Sequence, residues 1–366
     1  MRGLQHMDSE ERPTSAQGDV LLVCSGGGHL RQLAGFAERI GYAPERQVWV
    51  TFRNGLSESL LSGRRVIYAP FTAPRDLKNF AKLVLLSRKV FAENTFVEAI
   101  STGSSPAVAF LPKAARRGIP THYIESAARA DGPSMTGKII SRFPRIHTYT
   151  QYPAWADDRW MYRGSIFDEF APGAPVDPPR EPRRAVVMVG TQEGFPFRRL
   201  FEKVAPLLEG MDVFYQTGDA DMAGLGIPPQ PSIPHGELKS MIAAADLVIS
   251  HAGVGSALTA LEAGKHPVLF SRDPRFGEHI DDHQKQIAEE LSRRGLATHA
   301  DFDSVTLGDL IGASNRSVQI TAPPPFALHP SEERHAGSRP QNDDEDGSPP
   351  GSRRHGSGVH SAGGRP

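Results

Sequence analysis

A single cysteine, Cys24, stands in the 366-residue chain, which excludes an internal disulfide framework. Cys24 follows the apolar run Val20–Val23 and reads as a buried strand residue rather than a nucleophile. No stretch reaches the roughly 18–20 consecutive apolar residues that a membrane-spanning helix needs. Surplus charge is missing too: 41 Lys+Arg stand against 42 Asp+Glu, which argues against nucleic-acid binding by bulk electrostatics. The first 18 residues are polar, lack the apolar core of a signal peptide and are expected to form a disordered leader. Metal signatures are also scarce. There is no H-E-x-x-H, and Asp219-Ala220-Asp221 falls in a Gly- and Pro-rich connector rather than at a strand end.

Between the leader and a Pro-, Gly- and Ser-rich tail over 321–366, apolar strand-like runs alternate with helical stretches. That alternation predicts parallel sheets covered by helices. The first series holds Val20–Cys24, Gln47–Thr51, Arg65–Ala69, Ala99–Ser101, Thr121–Ile124 and His147–Thr150. A proline-rich linker, 171–184, precedes a second series at Ala185–Val189, Met211–Gln216, Asp246–Ser250 and Pro267–Ser271. The expectation is an α/β protein of two Rossmann-like domains, 19–170 and 185–320, with a ligand in the cleft between them at strand carboxyl ends. Leu77–Asn94 spaces its apolar residues as a helix does, with Lys and Arg between them. It reads either as a core-facing helix or as a basic helix lying on an anionic lipid surface.

The densest signal is in residues 246–270, DLVISHAGVGSALTALEAGKHPVLF: a buried strand, a glycine-rich loop, a helix and a second strand. Small residues at Gly253, Gly255 and Ser256 let backbone N–H groups and a helix dipole face an anion such as phosphate. Glu262 stands six residues beyond Ser256. That is about 9 Å along a helix axis, the reach from a diphosphate to ribose hydroxyls. Gly190 and Thr191, at another strand end, form a further candidate phosphate cradle. Downstream, Asp282, His283 and Gln284 cluster at a helix start and suit sugar-hydroxyl recognition, with a metal site at His279 and His283, four residues apart, as the alternative.

In the first half, Val20–Cys24 runs into Ser25-Gly26-Gly27-Gly28-His29, another strand and glycine loop. His29 is placed to take a proton from an attacking hydroxyl, or else to cap a helix. Ser104, in Ser101-Thr102-Gly103-Ser104-Ser105-Pro106, either binds substrate or caps a helix. Glu125, Ser126, Arg129 and Lys138 can hold a hydroxyl- and phosphate-bearing acceptor together with Gly27 and Gly28, or can form a surface salt-bridge network.

These motifs occur in the order found in glycosyltransferase family 28. The second half resembles the family's C-terminal donor domain: the His-x-Gly-x-Gly-Ser loop, the helix glutamate, the Gly-Lys-x-Pro turn and the Asp-His-Gln. Its nearest likeness is to the catalytic subunit of the two-part enzymes that add N-acetylglucosamine to dolichol diphosphate–GlcNAc. The first half, with SGGGH, STGSSP and YIESAARADGPSMTGK, resembles the partner subunit and bacterial capsule and exopolysaccharide proteins, as though both subunits were fused. The resemblance covers about residues 19–300 and implies a GT-B fold. It further implies inverting, metal-independent transfer from a UDP-sugar to a sugar on a polyprenyl diphosphate, without a cofactor, at the cytoplasmic membrane face. By it, Gly253, Gly255 and Ser256 would line the diphosphate, His251 would lie close to it, and Glu262 would bind ribose. His283 and Gln284 would sit near the donor sugar, and His29 would be the general base, with Glu125 as second candidate. The polar leader leaves membrane contact to a peripheral patch such as Leu77–Asn94. Two other readings share this architecture: a UDP-N-acetylglucosamine 2-epimerase, and a non-catalytic UDP-sugar-binding subunit.

Overall fold

The computed structural model describes residues 18–73, 76–190, 194–279 and 282–329. The first series forms β1 (Asp19–Cys24), α1 (Gly28–Ile40), β2 (Gln47–Phe52), α2 (Gly55–Leu60), β3 (Arg65–Ala69), α3 (Leu77–Glu93), β4 (Phe96–Gly103), α4 (Ser104–Arg116), β5 (Thr121–Ile124), α5 (Met135–Ile140), β6 (Ile146–Thr150) and β7 (Trp160–Tyr162). Its seven strands pair in the order β3-β2-β1-β4-β5-β6-β7, all parallel. The second series follows β8 (Phe170–Pro172). It comprises β9 (Arg184–Met188), α6 (Arg198–Val204), β10 (Asp212–Gln216), α7 (His235–Ala244), β11 (Leu247–His251), α8 (Val254–Glu262), β12 (Val268–Phe270), α9 (His283–Arg293), β13 (Thr298–His299), α10 (Leu307–Ser314) and β14 (Val318–Ile320). Here the parallel order is β10-β9-β11-β12-β13.

Chain order reverses between β1 and β4 in the first sheet and between β9 and β11 in the second. Loops leaving adjacent strands at such a switch point diverge to opposite faces and open a crevice at the carboxyl ends. The glycine loop after β1 and the Thr102–Ser105 turn flank one crevice. Gly190 and the Ala252–Gly255 loop flank the other.

Inner strands such as β1 and β2 are buried on both sides, which explains their continuous apolar runs; Val20 to Cys24 are fully shielded. One apolar cluster runs from the first sheet through Leu30, Leu33 and Phe36 of α1 into Val254, Leu258 and Leu261 of α8 and Ile287 and Leu291 of α9. The facing sides of the two sheet-and-helix units thus share a core.

Composition alone assigns residues 321–366 to an unstructured tail, but residues 321–329 pack on the first sheet's side. Phe326 is buried, with its ring 4.7 Å from Phe36 and 5.5 Å from Tyr149. Leu328 packs against the same core, and the His329 amide donates to the Tyr149 hydroxyl at 2.9 Å. The antiparallel pair β8–β14 brings the chain back to this face. The leader up to residue 17 and residues 330–366 lie outside the described residues.

The linker is tied down as well. Asn315 accepts from the Arg180 amide at 2.8 Å and donates to its carbonyl at 2.9 Å. In α3, Leu83, Val90 and Phe91 face the core, while Leu77 and Leu85 face outward beside exposed Lys78, Lys82, Arg88 and Lys89. Among the described residues no helix is long and apolar enough to cross a membrane.

Candidate active site

Two glycine-led helix starts meet in the cleft. Helix α1 begins after Gly27, whose φ of 64° suits glycine, and α8 begins after Gly253. Their backbones touch: a Cβ added at Gly28 would lie 3.5 Å from the amide nitrogen of Gly255, and one at Gly255 would lie 3.6 Å from the Gly28 Cα. The first amides of a helix have no intrahelical acceptor, and the aligned peptide dipoles place partial positive charge there. Two such ends facing one cleft favour a bound anion more than either does alone.

His29 stands one residue into α1. Its Nδ1 donates to the carbonyl of Thr102 at 2.7 Å, and the Thr102 hydroxyl donates back to the His29 carbonyl at 2.8 Å. Gly103, with φ of 126°, leaves room for the ring, since a Cβ there would lie 2.9 Å from His29 Cε1. Burial, followed by the charges of Arg129 and His283, outweighs the Thr102 hydrogen bond and pulls the imidazole down to about 4. His29 is therefore neutral near pH 7, with its proton on Nδ1 and a lone pair on Nε2. Next to this turn, Ser104 opens α4 with φ of 68°, a strained conformation for serine.

Glu125 is differently employed. It is buried, and its carboxylate accepts from the amides of Ser126 (3.0 Å) and Ser134 (2.9 Å) and from the hydroxyls of Ser134 (3.0 Å) and Tyr123 (3.2 Å). Burial pushes its carboxyl up, against the pull of these donors. It pins the 125–134 loop and the start of α5. The Ser126 hydroxyl is likewise engaged, accepting from Gln32 at 3.1 Å and from the Ala128 amide at 3.2 Å. Of the remaining first-half candidates, Arg129 has its charge directed at His29, while Lys138 lies exposed on α5.

In the second half, His251 lies beneath the glycine loop, where the absence of side chains at Gly190 and Gly253 leaves space for its ring. A Cβ at either position would lie 2.9 Å or 2.3 Å from Nε2. Burial first, then Arg272 and two neighbouring histidines, holds it well below the ordinary histidine range. Its Nδ1 lies 3.4 Å from the Ser256 hydroxyl. His251 thus supports the loop from below. Thr191 lies outside the described residues.

Glu262 closes α8 and reaches across the cleft to form an ion pair with Arg31 of α1; its other oxygen lies 3.5 Å from Lys239 Nζ. Arg31 also donates to His235 at 2.9 Å. His283 opens α9 with its ring 4.5 Å from that of His279. The side chain of Gln284, buried next to it, accepts from the amide of Arg272 at 3.2 Å.

The cleft therefore gathers Gly28, His29 and Arg129 from one side with Gly253, Gly255, Glu262 and His283 from the other. Sequence reasoning missed Arg31 and Arg272, because an arginine without a recognisable motif reads as surface.

Residues 184–300 match the model of the glycosyltransferase family 28 C-terminal domain. The fold is GT-B, and its second sheet-and-helix unit holds the family 28 match. Over 70 residues it is 49% identical to the UDP-N-acetylglucosamine transferase subunit ALG13 of Yarrowia lipolytica, a match covering 19% of this chain and 34% of that protein. The chain thus spans about a third of that relative's length. Among solved structures, Acinetobacter baumannii MurG superposes with a TM-score of 0.52 at 16% identity, covering 80% of this chain and 89% of that one. A co-structure of S. aureus MnaA with UDP gives a TM-score of 0.56 at 10% identity, covering 81% and 87%. At such identities these structural likenesses speak for the fold.

Proposed function

We propose that the chain is a glycosyltransferase that moves a sugar from a UDP-sugar to a saccharide on a polyprenyl diphosphate, with inversion and without a metal. The observation that carries this reading is the meeting of two glycine-led helix starts at Gly28 and Gly255. A nucleoside diphosphate there would lie against free amides, with its ribose toward Glu262 and its sugar toward His29, His283 and Gln284.

In the transfer, the acceptor hydroxyl oxygen attacks the anomeric carbon from the face opposite UDP. The carbon–oxygen bond to the β-phosphate breaks, and the hydroxyl proton passes to Nε2 of His29. Negative charge grows on the departing diphosphate, where preorganised N–H donors stabilise it without reorganisation. Holding both substrates in line supplies much of the remaining rate. His29 is favoured over Glu125 because the Thr102 hydrogen bond engages only its Nδ1 and the charges of Arg129 and His283 bear on the ring, whereas the Glu125 carboxylate is spent on four protein donors.

The outward face of α3, with Leu77 and Leu85 among Lys78, Lys82, Arg88 and Lys89, supports peripheral contact with an anionic leaflet at the cytoplasmic membrane face. Nothing in the charge balance calls for nucleic acid.

A donor screen tests the proposal. Purified protein, membrane lipid extract and a panel of radiolabelled UDP-sugars are incubated with EDTA. The expected result is one labelled sugar moving into the lipid fraction with release of UDP. Conversion of UDP-GlcNAc to UDP-ManNAc without lipid would assign an epimerase. UDP binding without turnover would assign a donor-binding subunit.

A further inference from the structure

We propose that Arg272 is the cation that receives the donor's diphosphate. The inference rests on the UDP-sugar reading of the cleft. Arg272 lies two residues beyond the carboxyl end of β12, the strand next to the one that leads into His251 and the α8 glycine loop. It is 3% exposed, and among the described residues its guanidinium Nε has no hydrogen-bond partner and it forms no ion pair.

Two carboxylates send charge toward it, Glu278 and Asp219. Both are committed elsewhere. Glu278 takes the fork of Arg199 at 2.8 and 3.0 Å together with the Asp273 amide at 2.9 Å, and Asp219 takes the Gly194 amide at 2.7 Å. His251 neighbours it as well, and Arg272 opposes any charge on that imidazole. Among the described residues, the ring of Phe197 also faces it, 5.5 Å away.

Burying a guanidinium without an anion is costly, and burial does pull this group down to about 10, still charged at neutral pH. The backbone is nevertheless held in place by Gln284, whose side chain accepts from the Arg272 amide. A fixed, desolvated, unspent cation beside the α8 loop is suited to an anion that arrives with the substrate. It would complement the uncharged amides of the two helix starts by supplying a full positive charge to the leaving diphosphate.

The test is calorimetry of UDP and of uridine on the wild type, Arg272→Met and Arg272→Lys, with the melting temperature of each ligand-free protein. UDP affinity is expected to fall roughly 10- to 100-fold in Arg272→Met. Uridine affinity should hold and Arg272→Lys should recover part of the loss. The ligand-free Arg272→Met protein should melt no lower than the wild type, because an unpaired buried charge has been removed. Equal losses for UDP and uridine, or unchanged UDP affinity, would overturn the inference. So would a clear drop in melting temperature, since it would mean that the guanidinium is held by the protein itself. If the wild type binds neither UDP nor uridine, the donor-site reading fails instead.

Discussion

The Nδ1–H of His29 is bonded to the carbonyl of Thr102 at 2.7 Å, and this one contact fixes which nitrogen is left to act as a base. A carbonyl can only accept, so the proton resides on Nδ1 and the lone pair on Nε2. His29→Gln is expected to lower turnover by roughly 10²–10⁴-fold while UDP affinity stays near that of the wild type. The acid limb of the kcat/KM profile of the wild type should lie near 4 rather than 6.5, because that profile reports the free enzyme. A limb unchanged in His29→Gln would remove His29 from the chemistry.

Glu262 is the proposed ribose acceptor, and its ion pair with Arg31 complicates any substitution, since Arg31 is almost fully buried. Two variants separate the effects. Glu262→Gln should weaken UDP by roughly 10- to 100-fold and abolish the preference for UDP over 2′,3′-dideoxy-UDP. Arg31→Gln breaks the same pair from the other side and should keep that preference. Competition binding with the two nucleotides decides, and equal discrimination in all three proteins would move ribose elsewhere.

Glu125→Gln is expected to act on stability. One carboxylate oxygen that accepts from Ser134 would become an amide donor facing donors, at a cost of about 1–3 kcal/mol. Thermal unfolding should shift down by several degrees, with turnover per folded molecule largely kept at low temperature. A folded, stable variant with turnover lost would make Glu125 the base.

Stability should also fall in acid. Burial lowers His29 and His266 to about 4 and holds His251 well below its ordinary value. Between about 6.5 and 4 the unfolded chain takes protons on these rings and the folded chain does not, so unfolding is favoured as pH drops through that window. Glu125, pushed up by burial, works in the opposite direction. Melting temperature measured from pH 7.5 to 4 should decline, with a shallower slope in His29→Gln; a rise toward acid would contradict the neutral-imidazole assignment.

The doubly wound sheets were legible because strands buried on both faces read as unbroken apolar runs, as in β1 and β11. Short edge strands were not: β7 and β13 hold three and two residues and carry no period to detect. The glycine loops announced themselves through composition, yet the roles around them depended on tertiary contacts. His251 fills the space that Gly190 and Gly253 leave beneath the loop, a placement that only the fold shows. The four donors to Glu125 likewise come from tertiary contacts that the sequence does not display. Arg272 gave no signal, because Ser-Arg-Asp-Pro-Arg reads as a solvated turn and only the fold shows the guanidinium shielded. Phe326, alone in a proline-rich stretch, escaped composition for the same reason.

The central claim is that one anion engages helix starts from both halves of the chain. Hydrogen exchange with and without UDP tests it most directly. The account predicts that UDP slows exchange in residues 28–31 and in residues 254–257 together. Protection confined to one of the two segments, or absent from both while UDP is bound, would contradict it.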